Sequence, residues 1–180
     1  MGPGMVKRLL VLCFLLGAAA PPALAQVTPA AGEKGRFAAG FDAGATFPFG
    51  SGYDTGWTVD GSLDYYVARF LAIRGSAGYA DSTTNLADSF TKASLLASAV
   101  FQFPQGAVRP YARAGLGVYV VSPPVGSTRG RLGLHAGGGL EWFFNPRTSV
   151  TGELLLQLLP SAEDRSTSSL DLTAGIRHYF

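Results

Sequence analysis

Cysteine is nearly absent from this 180-residue chain, and histidine is scarce. The single cysteine, Cys13, lies in an apolar stretch near the N-terminus, so no disulfide framework is available. It follows Leu12 instead of a small residue, which argues against lipid attachment there. Two histidines, His135 and His178, with no second cysteine to join them, make no zinc site. Charge is sparse as well: 14% of residues are Asp, Glu, Lys or Arg, and the net charge is +2. That balance gives no electrostatic case for nucleic acid as a partner. An apolar run of the roughly 20 residues needed to cross a bilayer as a helix is missing. Helical spacing of apolar residues over three turns is missing too.

What is present begins with a segment to set aside. Lys7 and Arg8 precede an apolar stretch from Leu9 to Ala20, and Ala23-Leu24-Ala25 puts small residues where a signal peptidase reads. Residues 1–25 are therefore predicted to be a secretory signal peptide, with the mature chain starting at Gln26. Losing Lys7 and Arg8 leaves twelve basic and twelve acidic side chains. Residues 26–34 form a short lead-in, and 35–180 suit one domain.

From Arg36 onward, segments alternate apolar and polar residues in period two, separated by turn-forming clusters. Eight strands are predicted: Arg36–Phe47, Gly56–Val67, Phe70–Asp81, Phe90–Phe103, Val108–Val121, Arg131–Phe144, Thr148–Leu159 and Ser168–Phe180. Three connections are tight turns: Val67–Arg69, Pro104–Ala107 and Asn145–Arg147. Between them lie longer loops rich in Ser, Thr, Asp, Gly and Pro, at 48–55, 82–89, 122–130 and 160–167.

The phase of each strand follows from its apolar residues alone. Phe37, Phe41 and Phe47 share a face of the first, and Trp57, Leu63 and Tyr65 one of the second. Leu95, Phe101 and Phe103 do so in the fourth, and Leu132, Leu140, Trp142 and Phe144 in the sixth. Apart from Asp81, the last residue of the third strand, no Asp, Glu, Lys or Arg falls on the apolar face of any strand. A barrel of eight strands is only just wide enough inside for side chains to fill. The face of Gly, Ser, Ala and Thr between charges suits that narrow space, and the bulky apolar face suits lipid. A basic residue facing lipid at mid-depth costs about 2–4 kcal/mol, which accounts for the missing charges. Aromatic residues cluster outward at both strand ends, with Phe37, Tyr65, Phe103 and Trp142 at one and Phe47, Trp57 and Tyr79 at the other. Two such belts mark membrane interfaces.

The expected fold is thus all-β: an eight-stranded antiparallel up-and-down transmembrane β-barrel with a polar, filled interior. Short turns on one side and long loops on the other put the loops outside the cell and both termini in the periplasm. The pattern, with the ending Gly175-Ile176-Arg177-His178-Tyr179-Phe180, resembles the small outer-membrane β-barrel family of OmpX and OmpA-barrel type. The resemblance covers the whole mature chain. It implies that Leu172, Ala174, Ile176, Tyr179 and Phe180 form a signal for the barrel-assembly machinery; His178 departs from the usual apolar residue. With the sequence ending at Phe180, the peptidoglycan-binding domain that follows some such barrels is not expected here.

Inside, six basic residues (Arg36, Arg74, Lys92, Arg113, Arg131, Arg177) face six acidic ones (Asp42, Asp60, Asp64, Glu141, Glu153, Asp171). Equal numbers predict a paired network plugging the lumen, joined by His135 beside a neighbouring acid. His135 and Glu141 are not a catalytic pair, since six residues along a strand is about 20 Å. His178 points outward with no serine beside it along its strand. Gly137-Gly138-Gly139 lies mid-strand and serves packing or bending, not phosphate binding. Arg69, Arg109 and Arg147 at the short turns suit phospholipid headgroups. The reading is a monomeric, non-catalytic barrel without metal or cofactor, with lipid and lipopolysaccharide as its surroundings and a structural or surface-interaction role. The alternatives are a narrow channel for small solutes and, further off, a lipid A-modifying enzyme.

Overall fold

A computed structural model describes residues 33–49, 54–83, 89–103, 106–122, 128–159 and 168–180. Residues 1–25, predicted to be a signal peptide, most of the lead-in, residues 104–105 of the predicted Pro104–Ala107 turn, the whole of 160–167 and the centres of the other three long loops lie outside the described residues. The strands are β1 (Phe37–Pro48), β2 (Gly56–Ala68), β3 (Leu71–Thr83), β4 (Ser89–Gln102), β5 (Val108–Ser122), β6 (Arg129–Asn145), β7 (Thr148–Leu158) and β8 (Ser169–Tyr179). Each pairs antiparallel with its neighbours in sequence, and β8 pairs with β1 to close the barrel. The predicted strand boundaries agree with these to within two residues.

Closure removes the exposed sheet edge that an open sheet would leave. It also satisfies every strand on both sides, the condition for a backbone to cross hydrocarbon. The seam continues to the chain ends, where the Phe180 N–H donates to the Phe37 carbonyl at 2.9 Å. At the short-turn end Asn145 builds its own turn: its side-chain oxygen accepts from the Arg147 N–H at 2.9 Å. Gly106 turns the β4–β5 connection with φ 65°, a left-handed conformation that glycine adopts without a Cβ clash. Register shifts fall beside two of these turns, between Tyr66 and Ala68 and between Phe143 and Asn145.

The polarity is inverted relative to a water-soluble barrel. Outward residues are large and apolar, with Leu63 at 65% and Leu132 at 75% of full exposure. The fully enclosed side chains include Arg74, Arg177, Glu141, Asp64 and His135. The core is thus made of charges, small polar residues and a few aromatic rings.

Glycines make room for those rings. A Cβ on Gly139 would stand 2.8 Å from the Tyr111 hydroxyl and would also run into the Gly152 carbonyl on β7. The Gly137–Gly139 run therefore serves packing, with Gly139 opposite Tyr111 across the β5–β6 pair. Gly139→Val is expected to destabilise the barrel by about 1–3 kcal/mol through overpacking. The lipid-facing Gly61, whose Cβ would meet open space, is the comparison. Urea unfolding in micelles checks it, with Gly61→Val changing the midpoint least.

Candidate functional site: the barrel interior

Period-two strands place every second side chain in the lumen, so sequence position sets height along the axis. Three layers result. At the short-turn end Tyr66, Phe143 and Tyr179, each at 2% exposure or less, form an aromatic floor with Ala38, Ala72, Val100 and Tyr111. The rings lie against one another, with Tyr179 centred 5.4 Å from Phe143 and 5.9 Å from Tyr66. Their hydroxyls are tied in: Tyr66 and Tyr179 share a hydrogen bond of 3.1 Å, and Tyr179 donates to Glu141 at 2.7 Å. Glu141, fully enclosed, also accepts from Ser149 and from the Gln102 amide.

Above the floor lies a ladder of charges. Arg74 grips Asp64 with two nitrogens, at 2.6 and 2.9 Å, and reaches Glu153 at 3.3 Å. Arg177 faces the same Asp64 at 3.4 Å, and Arg113 faces Glu153 at 3.2 Å. The Tyr111 hydroxyl donates to Glu153 at 2.7 Å, and its ring lies under the guanidinium groups of Arg74 and Arg177. Bidentate contacts and ring stacking suit the planar guanidinium and hold these cations where water does not reach.

Toward the loop end the interior opens into a polar cleft. Its walls carry Asp42, Asp60, Glu153 and Asp171 against Lys92 and Arg113, and about 20 Å³ remains for water centres. That is room for about one water. Lys92 donates to Gln157 at 2.8 Å and to Ser169 at 2.7 Å, with Asp171 at 4.0 Å. Asp171 accepts from Thr46 and Gln157, and Asp42 accepts from Thr151 at 2.6 Å. One wall of this end is apolar: Leu96, Tyr119, Val121, Leu155 and Leu159 cluster there.

The structure brings together Asp42, Asp60, Asp64, Arg74, Lys92, Arg113, Glu141, Glu153, Asp171 and Arg177. One cation of the expected set lies elsewhere. Arg36 precedes β1 at the rim, where it pairs with Glu33 at 2.8 Å and reaches the Phe180 carbonyl. Arg131 keeps the inward phase, half-buried at the loop end of β6. The interior gains Arg109 instead, enclosed with its guanidinium 5.0 Å over the Phe143 ring. Arg109 shares the inward phase of Tyr111 and Arg113, so strand alternation carried the signal that its position near a turn obscured. His135 pairs with Ser98, at 2.7 Å, and not with an acid. Two strands across the sheet, position 98 comes level with position 135, a proximity that distance along one strand does not reveal.

Of the residues expected to guide assembly, Leu172, Ala174, Ile176 and Phe180 point outward, while Tyr179 is enclosed in the floor. His178 faces outward, its Nδ1 3.0 Å from the Thr148 hydroxyl and its ring edge-on to Phe180. Among the described residues no group of three His, Cys, Asp or Glu is arranged to hold a metal ion.

An eight-stranded closed barrel, apolar outside and charged inside, defines the class: a transmembrane β-barrel. The chain belongs to the outer membrane protein beta-barrel domain family, whose model matches residues 10–177. Known structures share the fold. Neisserial surface protein A matches with a TM-score of 0.64 and 23% identity, over 80% of this chain and 97% of that one. The attachment invasion locus protein Ail of Yersinia pestis matches at 0.59 and 16% identity, over 82% and 99%. OprG of Pseudomonas aeruginosa matches at 0.57 and 13%, over 84% and 99%. No curated protein sequence matches the chain. Family and fold together place the protein in the outer membrane.

Proposed function

We propose that this barrel is a non-catalytic, monomeric outer-membrane protein that works through its surface, as a structural element and as a platform for contacts made by its loops. The observation that carries this is the aromatic floor of Tyr66, Phe143 and Tyr179, three rings at 2% exposure or less packed at a tilt against one another across the short-turn end. With the Arg74–Asp64–Arg177 ladder above it, the floor supports a lumen that solutes do not traverse. A lipid-modifying reading needs a base, a nucleophile and an acid on the lipid face. His178 is the outward histidine, and the partner it has there is Thr148. The long loops face outward from the cell and both termini face the periplasm, with lipopolysaccharide around the loop end.

Ail, which shares the fold, is named for attachment and invasion and has been crystallised with the heparin analogue sucrose octasulfate. That precedent supports surface contact as the role of a barrel with a closed interior. The test is loop trimming. Variants with residues 84–88, 123–127 and 160–167 each replaced by a two-residue turn should still show heat-modifiable migration in outer-membrane fractions. Cells carrying them should attach to surfaces less than cells carrying the full chain. Equal attachment by both, with both barrels folded, would contradict the proposal.

A further inference from the structure

His178 is the polar exception on the lipid face of β8, where the other outward positions hold Leu170, Leu172, Ala174, Ile176 and Phe180. It is exposed at the short-turn end and held in one orientation. Thr148, paired directly with it across β7 and β8, shares a hydrogen bond of 3.0 Å with its Nδ1, and the ring stands edge-on to Phe180 at 5.1 Å. With the Thr148 hydroxyl donating, the ring carries a proton on Nε2. That nitrogen has no partner among the described residues, so it is a donor free to meet a ligand.

Arg147 supplies charge at the same corner. It precedes Thr148 in the turn between β6 and β7, and its backbone is fixed on both sides. Its N–H donates to the Asn145 side chain at 2.9 Å, and its carbonyl accepts from the Tyr179 N–H at 2.7 Å. The side chain is exposed and meets no acid among the described residues. Glu33, an exposed acid at this end, is taken up by Arg36. Toward the middle of the membrane the corner turns apolar: Trp142, Val150 and Ile176 lie side by side on β6, β7 and β8, all exposed.

We propose that this corner is a binding site for an anionic phospholipid, its phosphate held by Arg147 and the Nε2–H of His178 and its acyl chains laid over Val150, Ile176 and Phe180. A guanidinium grips phosphate oxygens through parallel N–H bonds, and the imidazole adds a donor that Thr148 keeps in place. Donors above an apolar face fit a molecule that is anionic at one end and apolar along the rest. A zwitterionic lipid brings its own cation to offset its phosphate, so the unpaired Arg147 selects a lipid of net negative charge. The choice of a phospholipid over lipopolysaccharide rests on the proposed orientation, with the short turns at the inner leaflet.

Trp142 reads the site from the neighbouring strand. A Trp57→Phe barrel keeps it as the sole tryptophan, ready for folding into phosphatidylcholine vesicles that contain brominated phosphatidylglycerol. Quenching of Trp142 is expected to exceed that set by the bulk lipid fraction, matching a roughly fivefold local enrichment, the yield of one basic residue near anionic lipid. Arg147→Gln, at a surface turn, should abolish most of the enrichment, and His178→Leu should lower it. Arg69→Gln, in the exposed turn between β2 and β3, should leave it unchanged. Heat-modifiable migration verifies that each variant is folded. A parent barrel quenched only as the bulk fraction predicts would overturn the proposal, as would a folded Arg147→Gln barrel that keeps the enrichment. An equal loss from Arg69→Gln would overturn it in favour of a diffuse basic collar. Inorganic phosphate should displace the lipid no better than chloride at equal ionic strength, and displacement by phosphate alone would overturn the lipid as the ligand. Both vesicle leaflets hold the same lipids, so the result is independent of which way the barrel faces in the cell.

Discussion

Asp64→Ala is expected to destabilise the barrel by about 3–5 kcal/mol, the usual result of removing one partner from a buried ion pair. The cost is set at the upper end because Asp64 serves two cations. Arg74 holds it through two nitrogens and Arg177 faces its second oxygen, and both guanidinium groups are enclosed. Without the carboxylate, Arg74 keeps one acid, Glu153 at 3.3 Å, beside the Tyr111 ring, and Arg177 loses the acid that faces it. Marginal stabilities of about 5–15 kcal/mol make such a loss a large fraction of the whole. Asp54, exposed just before β2, is the control, and Asp54→Ala should change stability by less than about 0.5 kcal/mol. Equilibrium urea unfolding in micelles, followed by tryptophan fluorescence, measures both. Equal losses from the two variants would deny Asp64 its central place.

The second large effect belongs to the outer face. Leu116, near the middle of β5 and 63% exposed, faces the centre of the bilayer in this fold. Leu116→Arg is expected to cost about 2–4 kcal/mol in a lipid bilayer, because the guanidinium must sit in hydrocarbon or drag water to it. Phe103, just beyond the short-turn end of β4, lies at the interface, and Phe103→Arg should cost about 0–1 kcal/mol. Refolding into bilayers with guanidinium titration reads the difference. Equal costs at the two depths would mean that the apolar face does not meet lipid.

Both predictions rest on alternation, which is also what made the fold legible before any coordinates. Strand residues point to opposite faces in turn, so Leu63, Leu95 and Leu132 on one phase and Asp64, Lys92 and Arg131 on the other disclose which side meets lipid. The same rule places Arg109 inside. Reading it as a turn residue gave it to the lipid headgroups, when in fact it lies under the barrel wall against Phe143. Arg36 errs the other way: it keeps the inward phase but lies beyond the first strand residue, where Glu33 can reach it.

Pairings across strands were less accessible. Asp64 and Arg74 follow from one hairpin, since β2 and β3 pair them directly. The Arg74–Glu153 and Tyr179–Glu141 contacts cross the lumen or skip a strand, and they depend on barrel tilt and register. The aromatic floor is hard to read from the sequence for a related reason. Tyr66 and Phe143 each follow an outward aromatic, Tyr65 and Trp142, so each pair reads as an interface belt until the strand phase separates its members. Tyr179 beside Phe180 is the same case, and its hydroxyl in the floor ties the C-terminal strand to Glu141.

The central claim is that the interior is closed: rings across one end, paired charges above them, and a cleft with room for about one water beyond. Planar-bilayer recording of the purified barrel tests it most directly. The predicted result is current no greater than that of the lipid alone across the physiological voltage range. A steady, reproducible unit conductance from the folded protein would contradict it.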